Sequence, residues 1–139
     1  MSNIFEKLEL FEGFNEKQIK AVYKLGERKI IEKNQFLFKE NENSDGIYIV
    51  MGGKFSTNYN GLKKYFTSGA IFSSLSLIDD IKHKLSLKAE QKSQYFKLTK
   101  SQYEKLKEAS PKFAIKLQDN IIKDYLKKVE KLEKIFLEK

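Results

Sequence analysis

The feature that most constrains the fold is a series of short apolar segments between residues 28 and 98, each bounded by turn residues. The segments are RKIIEK, QFLFKE, GIYIVMGGKFSTNY, KKYFTSGAIF, KLSLKA and SQYFKLT. Such segments, recurring roughly every ten residues, are typical of a β-barrel or jelly roll. Asn60-Gly61 predicts a two-residue hairpin turn. We also predict a short helical turn over residues 74–78.

Helical patterns flank the strand region on both sides. Asn15 is a suitable N-cap for a first helix, which Gly26 is expected to end as a C-terminal capping glycine. After the strands, Thr99 caps another helix, and Ser110-Pro111 begins a long helix without a breaker. We therefore predict a single α+β domain. Its parts are a helical lead-in (1–27), a β-barrel or jelly roll of the double-stranded β-helix type (28–98) and C-terminal helices (99–139).

The long helix, residues 111–137, has a heptad pattern with one polar interruption at Gln118. The apolar positions of the seam are Ile115, Ile122, Tyr125, Val129, Leu132 and Phe136. A second stripe, Ala114, Leu117 and Ile121, widens the apolar face in the first half only. We predict that the first half packs on its own domain and that the seam joins a second copy in a homodimer. The alternative is one amphipathic helix folded back on its own domain along its whole length.

The charge of the chain is uneven along its length. The 139 residues carry a net charge of +8; residues 1–60 hold 9 basic and 9 acidic residues, and residues 61–139 hold 18 and 10. This asymmetry suits an anionic partner. However, Arg28 is the only Arg among 27 basic residues, and scattered lysines are typical of a solvated surface. We therefore do not expect nucleic acid to be the main partner.

Several function classes are excluded by residues that the chain lacks. It has no Cys and a single His, His83, so neither a thiolate nucleophile nor a His-rich metal site is available. No apolar run approaches the length of about 18 residues that a membrane span requires. The N-terminus has no basic region before an apolar run. We expect a cytoplasmic protein that is not an enzyme, with no metal and no membrane span.

The segment FLFKENENSDGIYIVMGGKF, residues 36–55, resembles the cyclic-nucleotide-binding domain family, which includes catabolite activator proteins and other Crp/Fnr-type sensors. The matching positions are Leu37-Phe38, Glu40-Asn41, Asp45, Tyr48-Ile49-Val50 and Gly53. The order of elements is also similar, over about residues 5–137. These are mostly core and turn positions. The resemblance therefore implies the family's fold, with a possible cyclic nucleotide such as cAMP or cGMP as its ligand and no other cofactor.

Residues 69–89 are similar to the family's phosphate-binding cassette, Phe-Gly-Glu-Leu-Ala-Leu, a variable turn and Arg-x-Ala-Thr. In that family the Glu accepts a hydrogen bond from the ribose 2′-hydroxyl and the Arg neutralises the phosphate. Here Ser74 replaces the Glu and His83 falls at the Arg position. A one-residue uncertainty in the alignment leaves Lys82 and Lys84 as alternatives. The candidate ligand-binding residues are Phe72, Ser73, Ser74, Leu75, Ser76, Lys82, His83, Lys84, Leu85 and Ser86.

Three functional hypotheses follow from this cassette. Loss of the Glu and Arg contacts removes several kcal/mol, about a hundredfold to a thousandfold in affinity. The first hypothesis is therefore a non-catalytic regulatory module without ordinary cAMP or cGMP binding and without its own DNA-binding domain. The second is a genuine sensor in which Ser73, Ser74 and Lys82 or Lys84 form a rebuilt site for a cyclic nucleotide or another anionic, phosphorylated ligand. The third is a Lys-rich scaffold or nucleic-acid-binding protein. For His83, the alternative to a ligand contact is a solvent-facing loop residue.

Overall fold

A computed structural model describes residues 4–137, which form helices around an antiparallel β-structure. The helices are α1 (Ile4–Lys7), α2 (Glu16–Leu25), α3 (Lys100–Ala109) and α4 (Pro111–Leu137), with 3₁₀ turns at Glu9–Phe11 and Ser74–Leu77. The strands are β1 (Glu27–Ile31), β2 (Phe36–Phe38), β3 (Asn43–Ser44), β4 (Gly46–Gly52), β5 (Phe55–Tyr59), β6 (Leu62–Phe66), β7 (Ile71–Phe72), β8 (Ile81–Lys82), β9 (Leu87–Ala89) and β10 (Ser93–Thr99). None of the helices in this range is long and apolar enough to cross a membrane.

The strands form two four-stranded sheets and one short ribbon. The sheets have the orders β1-β10-β4-β7 and β2-β9-β5-β6, and β3 pairs with β8. All pairings are antiparallel. Of the predicted β-barrel or jelly roll, the jelly-roll-like fold is confirmed, and the sheets are not closed into a barrel. Within the described residues the two sheets have separate edges, because no strand ladder joins one sheet to the other.

The predicted strands and hairpin are present in the structure. Each of the six apolar segments contains a strand. Asn60 and Gly61 both have positive φ, 50° and 81°, as a type I′ turn requires, and they join β5 to β6. The sequence did not indicate β3 and β8, because two-residue strands are too short to show a periodic pattern.

Two apolar clusters stabilise these layers. One lies between the first sheet and the helices and includes Phe5, Val22, Phe96, Tyr103 and Leu117. The other lies between the two sheets; its buried residues are Ile31, Phe38, Tyr48, Val50, Phe55, Leu87 and Ala89. Along each strand, side chains that point into a cluster alternate with side chains that point away from it.

The predicted helix caps are confirmed, but the glycine at position 26 is required for a different reason from the one predicted. Asn15 forms a capping box with Gln18, and Thr99 forms one with Gln102. Gly26 ends α2, but its φ of −83° is open to any residue, so it is not a left-handed cap. A Cβ at this position would lie 2.3 Å from Cζ of Phe96. Close packing against the β10 ring therefore requires the glycine.

Helix α4 has a buried first half and an exposed second half. Phe113, Ala114, Leu117 and Ile121 are buried, and the Tyr103 hydroxyl donates to the Ala114 carbonyl at 2.9 Å. Beyond Ile121 most of the apolar side chains are exposed; Leu132 and Phe136 are 66% and 77% exposed. The first half packs on its own domain as predicted, whereas residues 130–137 are exposed and are not folded back on it.

Candidate functional site

The candidate site is a pocket of about 440 Å³ between the 3₁₀ turn, the β8–β9 segment and α4. Its lining residues are Phe38, Ile71, Phe72, Ser73, Ser74, Leu75, Ile81, Lys82, Lys84, Leu85, Tyr125 and Lys128. Seven of the ten predicted ligand residues are in this set. Its volume lies within the range of about 300–1,000 Å³ that is typical of small-molecule sites.

Ser73 begins the 3₁₀ turn in an unusual backbone conformation. Its φ and ψ are 61° and 35°, in the left-handed region, where the family cassette has a glycine. A non-glycine residue pays about 1–2 kcal/mol there. The Ser73 Oγ forms a hydrogen bond of 2.8 Å with Nδ1 of His83, a contact that a glycine could not make. This bond ties the start of the turn to the segment after β8.

His83 is buried behind the pocket wall and does not line the pocket. It is 3% exposed, and its ring stacks on Phe38 with centroids 3.8 Å apart and planes 5° apart. Its backbone N–H donates to Glu42 and its carbonyl accepts from Asn41, both at 2.9 Å. The alternative of a solvent-facing loop residue is therefore wrong.

The protonation of His83 follows from this burial. Burial lowers the pKa of the imidazole, while the charges of Asp45 and Glu42 oppose that change and Lys97 adds to it. The result is a pKa below the ordinary value, so the ring is neutral at pH 7. A neutral ring cannot supply the positive charge of the family's arginine.

Lys82 and Lys84 lie on the pocket side of the segment that contains His83. Both lysines line the pocket, one on each side of the buried His83 in the chain. Both residues are exposed. Of the positions considered for the arginine, these two are the ones that bring a positive charge to the pocket.

Ser76 and Ser86 lie outside the pocket lining because other groups bind their hydroxyls. The Ser76 side chain is buried, and its Oγ lies 2.5 Å from Oγ of Ser44. The Ser86 Oγ accepts a hydrogen bond of 2.9 Å from the backbone N–H of Glu40. In this structure both hydroxyls connect the cassette to the β2–β4 segment.

Helix α4 contributes two pocket residues that sequence reasoning did not assign to the ligand site. Tyr125 was predicted only as a dimer residue, and Lys128 was not singled out. Lys128 also forms an ion pair of 3.2 Å with Asp124 on its own helix. Phe38, Ile71 and Ile81 were missed as well. The sequence does indicate that Tyr125 and Lys128 lie on one helix face, because they are three residues apart.

Asp45 holds a second cluster of charged and polar side chains, away from the pocket lining. Lys97 lies 2.9 Å from Asp45, and the Tyr48 hydroxyl donates to the same carboxylate at 3.2 Å. Although burial opposes it, the Lys97 ammonium lowers the pKa of Asp45. Residues 4–137 contain no group of three or more His, Asp or Glu side chains arranged to hold a metal ion.

Comparisons with known proteins identify relatives of this fold. The model of the cyclic nucleotide-binding domain family matches residues 28–110. No curated protein shows significant sequence similarity to the chain.

Solved structures with a similar fold include three bacterial proteins. One is the N-terminal domain of a transcriptional regulator from Streptomyces coelicolor, with a TM-score of 0.80, 16% identity, and coverage of 91% of this chain and 95% of that one. Another is a cyclic nucleotide-binding domain from Methylobacillus flagellatus, with a TM-score of 0.76, 17% identity, and coverage of 99% and 81%. The Thermus thermophilus catabolite activator protein has a TM-score of 0.74 and 18% identity, and the match covers 94% of this chain and 63% of that one. At these identities the likeness shows the fold alone.

Proposed function

The chain belongs to the cyclic nucleotide-binding domain family, and from this premise we propose that it is a non-catalytic regulatory module whose pocket does not bind cAMP or cGMP in the family's ordinary way. The observation that carries this proposal is the pocket lining itself. Ser74 stands where the family has its ribose-binding glutamate, and no carboxylate is among the lining residues. His83, at the aligned arginine position, is neutral and turned away from the pocket.

The energetic consequence of these replacements is large. The ribose 2′-hydroxyl loses an ionised acceptor, and a serine hydroxyl gives at most a neutral hydrogen bond, which is about half as strong as a charge-assisted one. A lysine in place of arginine gives a point charge without the bidentate geometry. Leu85, where the family has a small alanine, adds bulk at the pocket wall.

Calorimetry with cAMP and cGMP tests this proposal. We expect dissociation constants weaker than micromolar for both nucleotides. Ser74→Ala serves as the matched variant, and it should leave the weak binding unchanged because Ser74 replaces the carboxylate only poorly. Micromolar or tighter binding of either nucleotide by the native chain would refute the proposal.

A second candidate, a sensor with a rebuilt anion site, is supported by three lysines in the lining, Lys82, Lys84 and Lys128, beside Ser73 and Ser74. Ammonium and hydroxyl groups are good donors to phosphate. A ligand that binds only the folded state raises the melting temperature. A thermal-shift panel of cyclic and linear nucleotides therefore tests this candidate, and it is excluded if none of them stabilises the chain.

We also propose that the module is a homodimer through the exposed half of α4. Ile122 and Val129 are β-branched and occupy one heptad position, and Leu132 occupies the other with Tyr125. β-Branched residues at the first position with Leu at the second favour a parallel two-stranded coiled coil. A row of exposed apolar side chains on the second half of α4 supports this proposal.

A further inference from the structure

The pocket has positive charges that the protein itself does not neutralise. Three lysines line it, and the lining contains no aspartate or glutamate. Within residues 4–137, neither Lys82 nor Lys84 takes part in an ion pair. The counter-charge of Lys128 is Asp124, which is outside the lining. Two pocket lysines are therefore available for a ligand's negative charge.

Apart from the lysines, Ser73 and Ser74, the lining is apolar or aromatic. These residues are Phe38, Ile71, Phe72, Leu75, Ile81, Leu85 and Tyr125. Such a wall excludes water from an apolar or aromatic group, whereas it offers few partners to sugar hydroxyls, which lose their hydrogen bonds to water on entry. The ligand that fits this lining has a strongly charged end and an aromatic body.

We propose that the pocket takes an aromatic phosphate monoester in preference to a cyclic phosphodiester. This inference rests on the rebuilt anion site of the proposed function. A phosphate monoester carries a charge of about −1.5 to −2 at pH 7, whereas a cyclic phosphodiester carries one negative charge. The additional charge interacts with lysines that have no other counter-charge, and no carboxylate repels it.

Calorimetry with ligands that differ in one charge tests the inference. The probes are 5′-AMP, its phosphate methyl ester, cAMP and adenosine, at pH 8 and constant ionic strength. The ester keeps the base and sugar of 5′-AMP but carries one charge fewer. We expect 5′-AMP to bind about tenfold tighter than the ester and than cAMP, with adenosine weakest. Phenyl phosphate should bind more tightly than glycerol 3-phosphate, because only the former has an aromatic body.

Matched variants test whether the pocket lysines cause the preference for 5′-AMP over its methyl ester. Lys82→Gln and Lys84→Gln should each weaken 5′-AMP binding and reduce its advantage over the ester. Lys134→Gln, on an exposed part of α4 outside the pocket lining, should change neither.

The possible failures separate the inference from the proposed function. Equal affinity for 5′-AMP and the ester overturns the preference for a dianion but does not contradict the anion-site candidate. Tighter binding of cAMP than of 5′-AMP also overturns the inference, and a micromolar value refutes the proposed loss of ordinary cyclic-nucleotide binding. If no probe binds, both the inference and the anion-site candidate are wrong, while the dimer proposal is unaffected.

Discussion

The imidazole of His83 stacks on the ring of Phe38, with centroids 3.8 Å apart and planes 5° apart. This contact decides which residues next to His83 line the pocket and which are buried behind it. With the imidazole packed among the inter-sheet residues, its neighbours on both sides, Lys82 and Lys84, line the pocket. The histidine is therefore part of the structural support of the pocket, and the lysines provide its charge.

The family's charged residues should restore cyclic-nucleotide affinity if they are introduced at positions that line the pocket. We predict that Ser74→Glu with Lys84→Arg strengthens cAMP binding about tenfold to a hundredfold, because each charge-assisted hydrogen bond contributes about 1.5–3 kcal/mol. Calorimetry measures the change. Ser74→Glu alone serves as the intermediate variant.

The corresponding change at His83 should fail. Ser74→Glu with His83→Arg places a guanidinium in a buried, stacked position, and we predict a loss of about 3 kcal/mol in the free energy of unfolding. Urea denaturation of the two double variants compares them. If the His83→Arg variant is stable and gains affinity, the assignment of the pocket side to the lysines is wrong.

The stability of the fold should depend on the protonation of His83. Its pKa is below the ordinary value of 6.5 in the folded chain because of burial, with Asp45, Glu42 and Lys97 as the facing charges. Below pH 6.5 the imidazole of the unfolded chain binds a proton that the folded chain does not bind. The free energy of unfolding therefore has its full contribution from His83 above this pH and decreases as the pH is lowered through it. We predict a lower melting temperature at pH 5.5 than at pH 7.5.

His83→Gln removes this titration and should flatten the dependence. The comparison uses the slope of melting temperature against pH, so an overall loss of stability in the variant does not affect it. The pKa of Asp45 is lowered, and this carboxylate therefore titrates below the range that is compared. Parallel slopes for the native chain and the variant would contradict the prediction.

The exposed half of α4 should control the oligomeric state. We predict that Val129→Asp with Leu132→Asp converts a dimer into a folded monomer, since charges in the seam are not tolerated and this half does not contribute to the buried core. Light scattering or analytical ultracentrifugation measures the mass. Lys131→Asp with Lys134→Asp, at exposed positions of the same helix, is the control. A native monomer at high concentration would disprove the dimer.

Gly26 should be irreplaceable for steric reasons. Gly26→Ala places a Cβ 2.3 Å from Phe96 Cζ and 2.8 Å from the Lys97 carbonyl, and we predict a loss of about 1–3 kcal/mol in stability. Gly52→Ala is the matched control, because its Cβ meets nothing within 4 Å and should change stability by less than about 0.5 kcal/mol. Chemical denaturation compares the two, and similar losses would exclude the packing explanation.

Much of the fold was predictable because it depends on local chemistry. Asn60-Gly61 has the backbone freedom that a tight hairpin needs, and Asn15 and Thr99 cap the helices that follow them. The apolar stripe of Ala114, Leu117 and Ile121 predicted which half of α4 would be buried. Each of these signals lies within a few residues of the feature that it determines.

The sequence by itself determined the order of the helices and of the longer strands, the caps, and the position of most pocket residues between Gly69 and Ala89. Tertiary structure alone decided that His83 points inward, that Ser76 and Ser86 bond to other segments, and that Tyr125 and Lys128 complete the pocket. The physical reason is the range of the interactions. The direction of a side chain on a short segment between strands depends on which neighbour buries it, and here that neighbour is Phe38, far away along the chain.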